Sequence, residues 1–113
     1  MQISKELLKG AAELIVLEML SKEGELYGYQ LVKMIASKSE DVFSLQQGTL
    51  YPLLYRLEDK GFVASIEKRA LSGKMRRFYR ITDQGQVALR KQKGEYETLV
   101  QGMRHVFKIT LIS

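Results

Sequence analysis

At 113 residues, 45% hydrophobic and 27% charged, the chain has the size of one domain with a modest core, and without cysteine it excludes a disulfide framework, a thiolate zinc site and a cysteine nucleophile. No apolar run is long enough to span a bilayer and the start has no basic signal region, so a cytoplasmic protein with no membrane partner is expected. The net charge of +5 is unevenly held: residues 1–61 carry seven Lys or Arg against nine Asp or Glu, net −2, and residues 62–113 carry eleven against four, net +7.

Ser4 to Lys22 reads as one helix capped by Ser4. Leu8, Ala12, Ile15 and Met19 form one stripe and Leu7, Leu14 and Leu17 another, an apolar arc wide enough to be covered once by its own domain and once by a partner. A second, shorter helix starts near Gly28 with Leu31, Val32 and Ile35 inward. In "QQGTLYPLLYRLEDKGFV", residues 46–63, Leu50, Leu53, Leu54 and Leu57 follow the spacing of a buried helix stripe. Pro52, the only proline, then belongs in the first turn, where a missing amide matters least, with Thr49 as the cap; Gly61 closes the helix. Tyr51 and Tyr55, four apart, share the side away from the leucines with Gln47 and Arg56. Either another element covers these tyrosines, or they form part of a polar surface able to bond phosphates and base edges.

From Phe62 the period changes to two. "FVASIEKR" and "MRRFYRIT" read as strands joined by "ALSGK", with Gly73 as the turn residue, giving a hairpin with a basic tip. Six basic residues and no acid lie between Lys68 and Arg80, a density that fits a polyanion better than a solvated face of mixed sign. Thr82 caps a last helix to about Lys108, in which Tyr96, Leu99, Val100, Met103, Val106 and Phe107 alternate by three and four as in a short coiled-coil seam. Gly94 and Gly102 each weaken that helix by about 1 kcal/mol relative to alanine, so it needs packing to persist.

The expected fold is mainly α with a small β-hairpin: a winged helix-turn-helix over residues 1–82 and a C-terminal dimerisation helix over 83–113. In that arrangement the third helix enters the major groove and the hairpin lies along flanking phosphates. The segments "ELYGYQLV", "GTLYPLLYRLEDKGFV" and "RRFYRITDQG" together resemble the PadR family of bacterial transcriptional regulators, from about Leu7 to Gly85. The single last helix is similar to that of the family's short subfamily in length and position only.

The resemblance implies a homodimeric repressor of a pseudo-palindromic double-stranded DNA operator, without enzyme activity, cofactor or metal, controlling genes of phenolic acid detoxification, drug efflux or stress response. Gly48, Thr49, Leu50, Tyr51 and Pro52 match the family's recognition-helix motif, which makes Thr49 and Tyr51 the foremost DNA contacts, followed by Gln46, Gln47, Tyr55 and Arg56. Arg76 and Arg77 match the basic pair of the wing, and Lys74 joins them by position; Tyr79 and Ile81 face its packing side, and Arg80 is open. Tyr27 and Tyr29 are expected to pack or cap the second helix rather than touch DNA. The dimer seam and any site for a small aromatic effector fall to Leu8, Ile15, Tyr96, Val100, Met103 and Phe107. Tyr96 occupies the place of the family's ligand-stacking aromatic; with no tryptophan in the chain, plain packing is the stronger reading.

Two other classes compete. An enzyme would need more than His105, the only histidine, since no paired acids, nucleophile elbow or phosphate loop accompany it. A basic module for RNA or an anionic surface would place its aromatics on a sheet or its cations along one helix face, whereas here the cations crowd a hairpin.

Overall fold

The computed structural model describes residues 2–108. Ser4 caps α1 (Lys5–Lys9), its hydroxyl accepting from the Leu7 amide at 3.2 Å. The expected single helix over residues 4–22 is broken: Ala11 N donates to Leu8 O, and α2 (Ala12–Glu23) starts afresh with Ile15 N on Ala11 O. Gly10, a poor helix former, sits at the break. Leu8 turns into the core while Leu7 stays two-thirds exposed. Val16, Leu17 and Leu20 of α2 are almost fully buried within the protomer, so most of its wide apolar arc is already covered here, and only Leu14 and Ile15 are left half-buried.

A two-residue strand, β1 (Leu26–Tyr27), precedes α3 (Gly28–Lys38). It pairs with β3 (Met75–Ile81), which also pairs with β2 (Val63–Arg69), so the expected two-stranded hairpin is a three-stranded antiparallel sheet of order β1-β3-β2. In the register Ser65↔Tyr79 and Ile66↔Phe78, Tyr79 faces the core and Phe78 the outer side, where the Tyr27 ring meets it edge-on at 5.2 Å. The turn between β2 and β3 is closed by Ala70 N to Lys74 O, by Gly73 N to Ala70 O, and by the Arg69 guanidinium on Gly73 O. Gly73 takes the left-handed conformation there.

Helix α4 (Gln47–Asp59) buries Leu50, Leu53, Leu54 and Leu57 as expected, but its cap is Gln46, not Thr49. Pro52 is therefore its sixth residue, inside the helix rather than in its first turn. Its missing amide would have met the carbonyl of Gly48, an exposed residue. The helix ends in paired bonds, Phe62 N to Leu57 O and Gly61 N to Glu58 O, around Gly61 at φ +80°.

Thr82 caps α5 (Asp83–Phe107): its hydroxyl accepts from Gly85 N and donates to Gly61 O at 2.6 Å, and its amide donates to Phe62 O. A side chain at Gly85 would place Cβ 2.1 Å from Phe62 O, so only glycine lets α5 start this close to the end of α4. Glu13 of α2 then accepts from both Lys60, beyond α4, and Gln92 of α5. Helices α3 and α4 with the β2–β3 wing form a winged helix-turn-helix. Residues 109–113 of the expected C-terminal segment lie outside the described residues, among which no helix is long and apolar enough to cross a membrane.

Candidate nucleic-acid interface

The N-terminal half of α4, the start of α3 and the wing enclose a cleft of about 240 Å³ lined by Tyr27, Tyr29, Gln47, Tyr51, Arg76 and Arg77. Four of these were expected as DNA contacts; Tyr27 and Tyr29 were assigned to packing. Tyr27 does pack, on Phe78, and its amide is held by the Gln30 side chain, yet its ring also forms one wall of the cleft. The signal that could have found Tyr27 was the short strand, which brings it beside β3, and two residues are too few to show a period. Tyr51 is half-buried because its ring lies over Gly28, where a Cβ would stand 2.4 Å from the hydroxyl. Tyr55 is more than half exposed, its ring 6.4 Å from that of Tyr51.

The wing's cations are not equivalent. Lys68 pairs with Glu25, and Arg77 is held by Ser65 Oγ at 2.7 Å and loosely by Glu67 at 3.5 Å. Arg69 braces the turn, and Arg76 lies 5.6 Å over the Tyr27 ring. Lys74, Arg76 and Arg80 have no acidic partner among the described residues. Beneath the cleft Tyr79 is fully buried with no partner for its hydroxyl among the described residues, and burial, with Tyr55 nearby, pushes its phenol up to about 12 against the opposing effect of Arg77.

Gln46, Thr49 and Arg56 lie elsewhere. They border a second groove, of about 700 Å³, on the opposite flank of α4, together with Lys5 and Lys9. Lys74 stays at the wing tip, outside both. The effector and seam set divides as well. Ile15 and Tyr96 line an apolar pocket of about 330 Å³ between α2, α3 and α5 with Leu14, Met19, Ile35 and Phe43. Leu8 is instead in the protomer's own core, and Val100, Met103 and Phe107 continue along α5 beyond the pocket. Glu18 at its rim is pushed up by burial, but hydrogen bonds from Lys93 and Lys22 outweigh this and hold its carboxyl below the usual range.

The model of the Transcriptional regulator PadR-like family matches residues 16–91, from α2 through the first turns of α5. The chain belongs to this family. It is similar to a PadR family transcriptional regulator of Eggerthella lenta, with 34% identity, a TM-score of 0.80, and coverage of 93% of this chain and 88% of that one. A transcriptional regulator of Clostridium thermocellum superposes with a TM-score of 0.82 at 29% identity, over 91% of this chain and 96% of that one. A transcriptional regulator of Mycobacterium tuberculosis is 33% identical over 86% of each chain. The PadR resemblance read from three segments is thus confirmed, and the structure gives the segments physical roles. Gly28 admits the Tyr51 ring, Leu50 to Leu57 anchor α4, and Gly85 admits the Phe62 carbonyl.

Proposed function

We propose that this PadR regulator is a homodimeric repressor that binds a pseudo-palindromic operator in the cytoplasm, has no enzymatic activity, and is released by a small aromatic ligand. The observation that carries the DNA reading is the meeting of Gln47 and Tyr51 of α4 with Arg76 and Arg77 of the wing around one open polar cleft. Amide and hydroxyl groups at the start of α4 suit base edges and phosphate oxygens, and the guanidiniums suit flanking phosphates. Residues 1–82 would then form the DNA-binding unit and 83–113 the dimerisation helix. Dimerisation is supported by Leu99, Met103, Val106 and Phe107, exposed along α5, and effector binding by the apolar pocket at Tyr96.

The test compares duplex DNA, structured RNA and anionic vesicles, and then variants. Arg76→Ala or Arg77→Ala weakens binding to all duplexes alike and makes the salt dependence shallower by about 0.9 in log–log slope for each phosphate lost. Changes at Gln47 or Thr49 alter preference at one half-site position by about 1–3 kcal/mol. Equal binding to RNA or vesicles refutes the reading, as does sequence preference that follows the wing and ignores α4. Deleting residues 95–113 should destabilise the chain and abolish the dimer in sedimentation.

A further inference from the structure

Lys5, Lys9 and Arg56 are exposed, and none has an acidic partner among the described residues. All three border the 700 Å³ groove between the α1–α2 segment and α4, which reaches Gln46, Gly48 and Thr49 at the open end of that helix. Lys5 and Lys9 are one helical turn apart and share a side of α1, their Cβ atoms about 6 Å apart. Glu13 also lines the groove, but its carboxylate oxygens are occupied by Lys60 and Gln92. Glu6, the one acid of α1, is not among the lining residues. Three uncompensated like charges along one groove repel one another, and a bound polyanion relieves that repulsion.

None of the described residues lines both this groove and the tyrosine–arginine cleft, although the two flank the same end of α4. A helix in a major groove about 12 Å wide has a phosphate backbone on each side. The wing can reach only one of them. We propose that Lys5, Lys9 and Arg56 form a second cationic rail, which holds the duplex phosphate backbone on the side of α4 away from the wing. This rests on the DNA-binding reading above and extends it to α1, a helix outside the helix-turn-helix and the wing.

The rail is tested with the full chain by fluorescence anisotropy, on duplexes that the unaltered protein selects from a random pool, between about 50 and 200 mM salt. Lys5→Gln with Lys9→Gln should make the slope of log affinity against log salt shallower by about 1.8 per bound protomer, so that the fourfold salt increase loses about 12-fold less affinity. Arg56→Gln alone should change the slope by about 0.9. The ranking of duplex sequences should not change with the lysine pair, and Lys5→Arg with Lys9→Arg should keep the original slope, which separates charge from any loss of folding. Lys91→Gln, on α5, serves as the control for net charge. An unchanged slope in the glutamine pair, while Arg76→Ala lowers it, overturns the rail and leaves the DNA reading standing. The same fall in Lys91→Gln also overturns it. Binding of the unaltered chain to polyglutamate in preference to duplex, lost in the glutamine pair, assigns the groove to an acidic protein segment instead. Absence of duplex binding by the unaltered chain defeats both readings.

Discussion

Replacing Tyr79 with phenylalanine should stabilise the protein. The Tyr79 ring is fully buried in the core beneath α4, and its hydroxyl has no hydrogen-bond partner among the described residues. An orphaned buried hydroxyl costs about 1–3 kcal/mol, whereas the ring's packing is retained by phenylalanine. Tyr79→Phe should therefore gain roughly 1 kcal/mol near neutral pH, raising Tm by about 4 °C for a chain of this size. Alkaline pH supplies an independent check. Burial raises the phenol from 10.0 in the unfolded chain to about 12 in the folded one, so the residue's contribution is constant below pH 10 and is lost as pH climbs from 10 towards 12. That loss amounts to about 2–3 kcal/mol in all, roughly half of it by pH 11. Urea unfolding of both proteins at neutral pH and between pH 10 and 11 should show the advantage of the variant widening by about 1 kcal/mol at the upper end, with the other tyrosines and lysines common to both. A variant less stable by about 1 kcal/mol at neutral pH, with no widening, would show that the hydroxyl is bonded and refute the reasoning.

Gly85→Ala should destabilise by about 1–3 kcal/mol in urea titration, because its Cβ meets the Phe62 carbonyl, a backbone atom that cannot swing aside. Gly48→Ala meets nothing within 4 Å, so it should raise stability by up to about 1 kcal/mol. It should at the same time weaken duplex binding in anisotropy, since the added methyl stands on the exposed end of α4. Lys93→Met removes the leading hydrogen bond that depresses Glu18; because that depression stabilises above about pH 4.5 and is lost as pH falls below it, the variant's urea midpoint should drop at neutral pH and converge on the original in acid, by an amount reduced by solvent screening. Tyr96→Ala should abolish calorimetric binding of phenolic acids and cationic dyes while leaving duplex affinity without ligand intact; heat of binding that survives the change would move the effector site away from the pocket.

The elements set by a regular apolar period were legible in the chain: the leucine stripe of α4, the alternation of β2 and β3, the caps at Ser4 and Thr82, and the left-handed residues Gly61 and Gly73. The misreadings arose where one residue's local preference competed with tertiary packing. Thr49 is a better cap than Gln46 by propensity, and Pro52 prefers a first turn, yet burial of Leu50 and Leu53 starts the helix earlier and holds the proline in its interior. Gly10 breaks the first helix although the hydrophobic spacing runs through it, because Leu8 and Ala12 reach the core from separate segments.

The candidate site was legible only along single elements. Gln47 and Tyr51 share a helix side and Arg76 and Arg77 a strand, so each pair could be named from spacing, but whether the pairs meet depends on how α4 docks on the sheet. That docking is made by Tyr79 and by Ser65 on Glu58, and on the α3 side by a contact between the Tyr51 ring and Gly28 that exists because residue 28 has no side chain. Tyr27 reaches the cleft through two residues of strand pairing that leave no periodic trace. Arg56 and Gln47 look alike in the chain as polar residues of one helix, and nine positions further round they fall into different grooves, because the helix turns by about 100° per residue and both flanks of α4 are open. The two flanks acquire distinct chemistry from what lies opposite them, two arginines of the wing on one side and two lysines of α1 on the other. That pairing is a property of the packed chain, and no stretch of the sequence holds it alone.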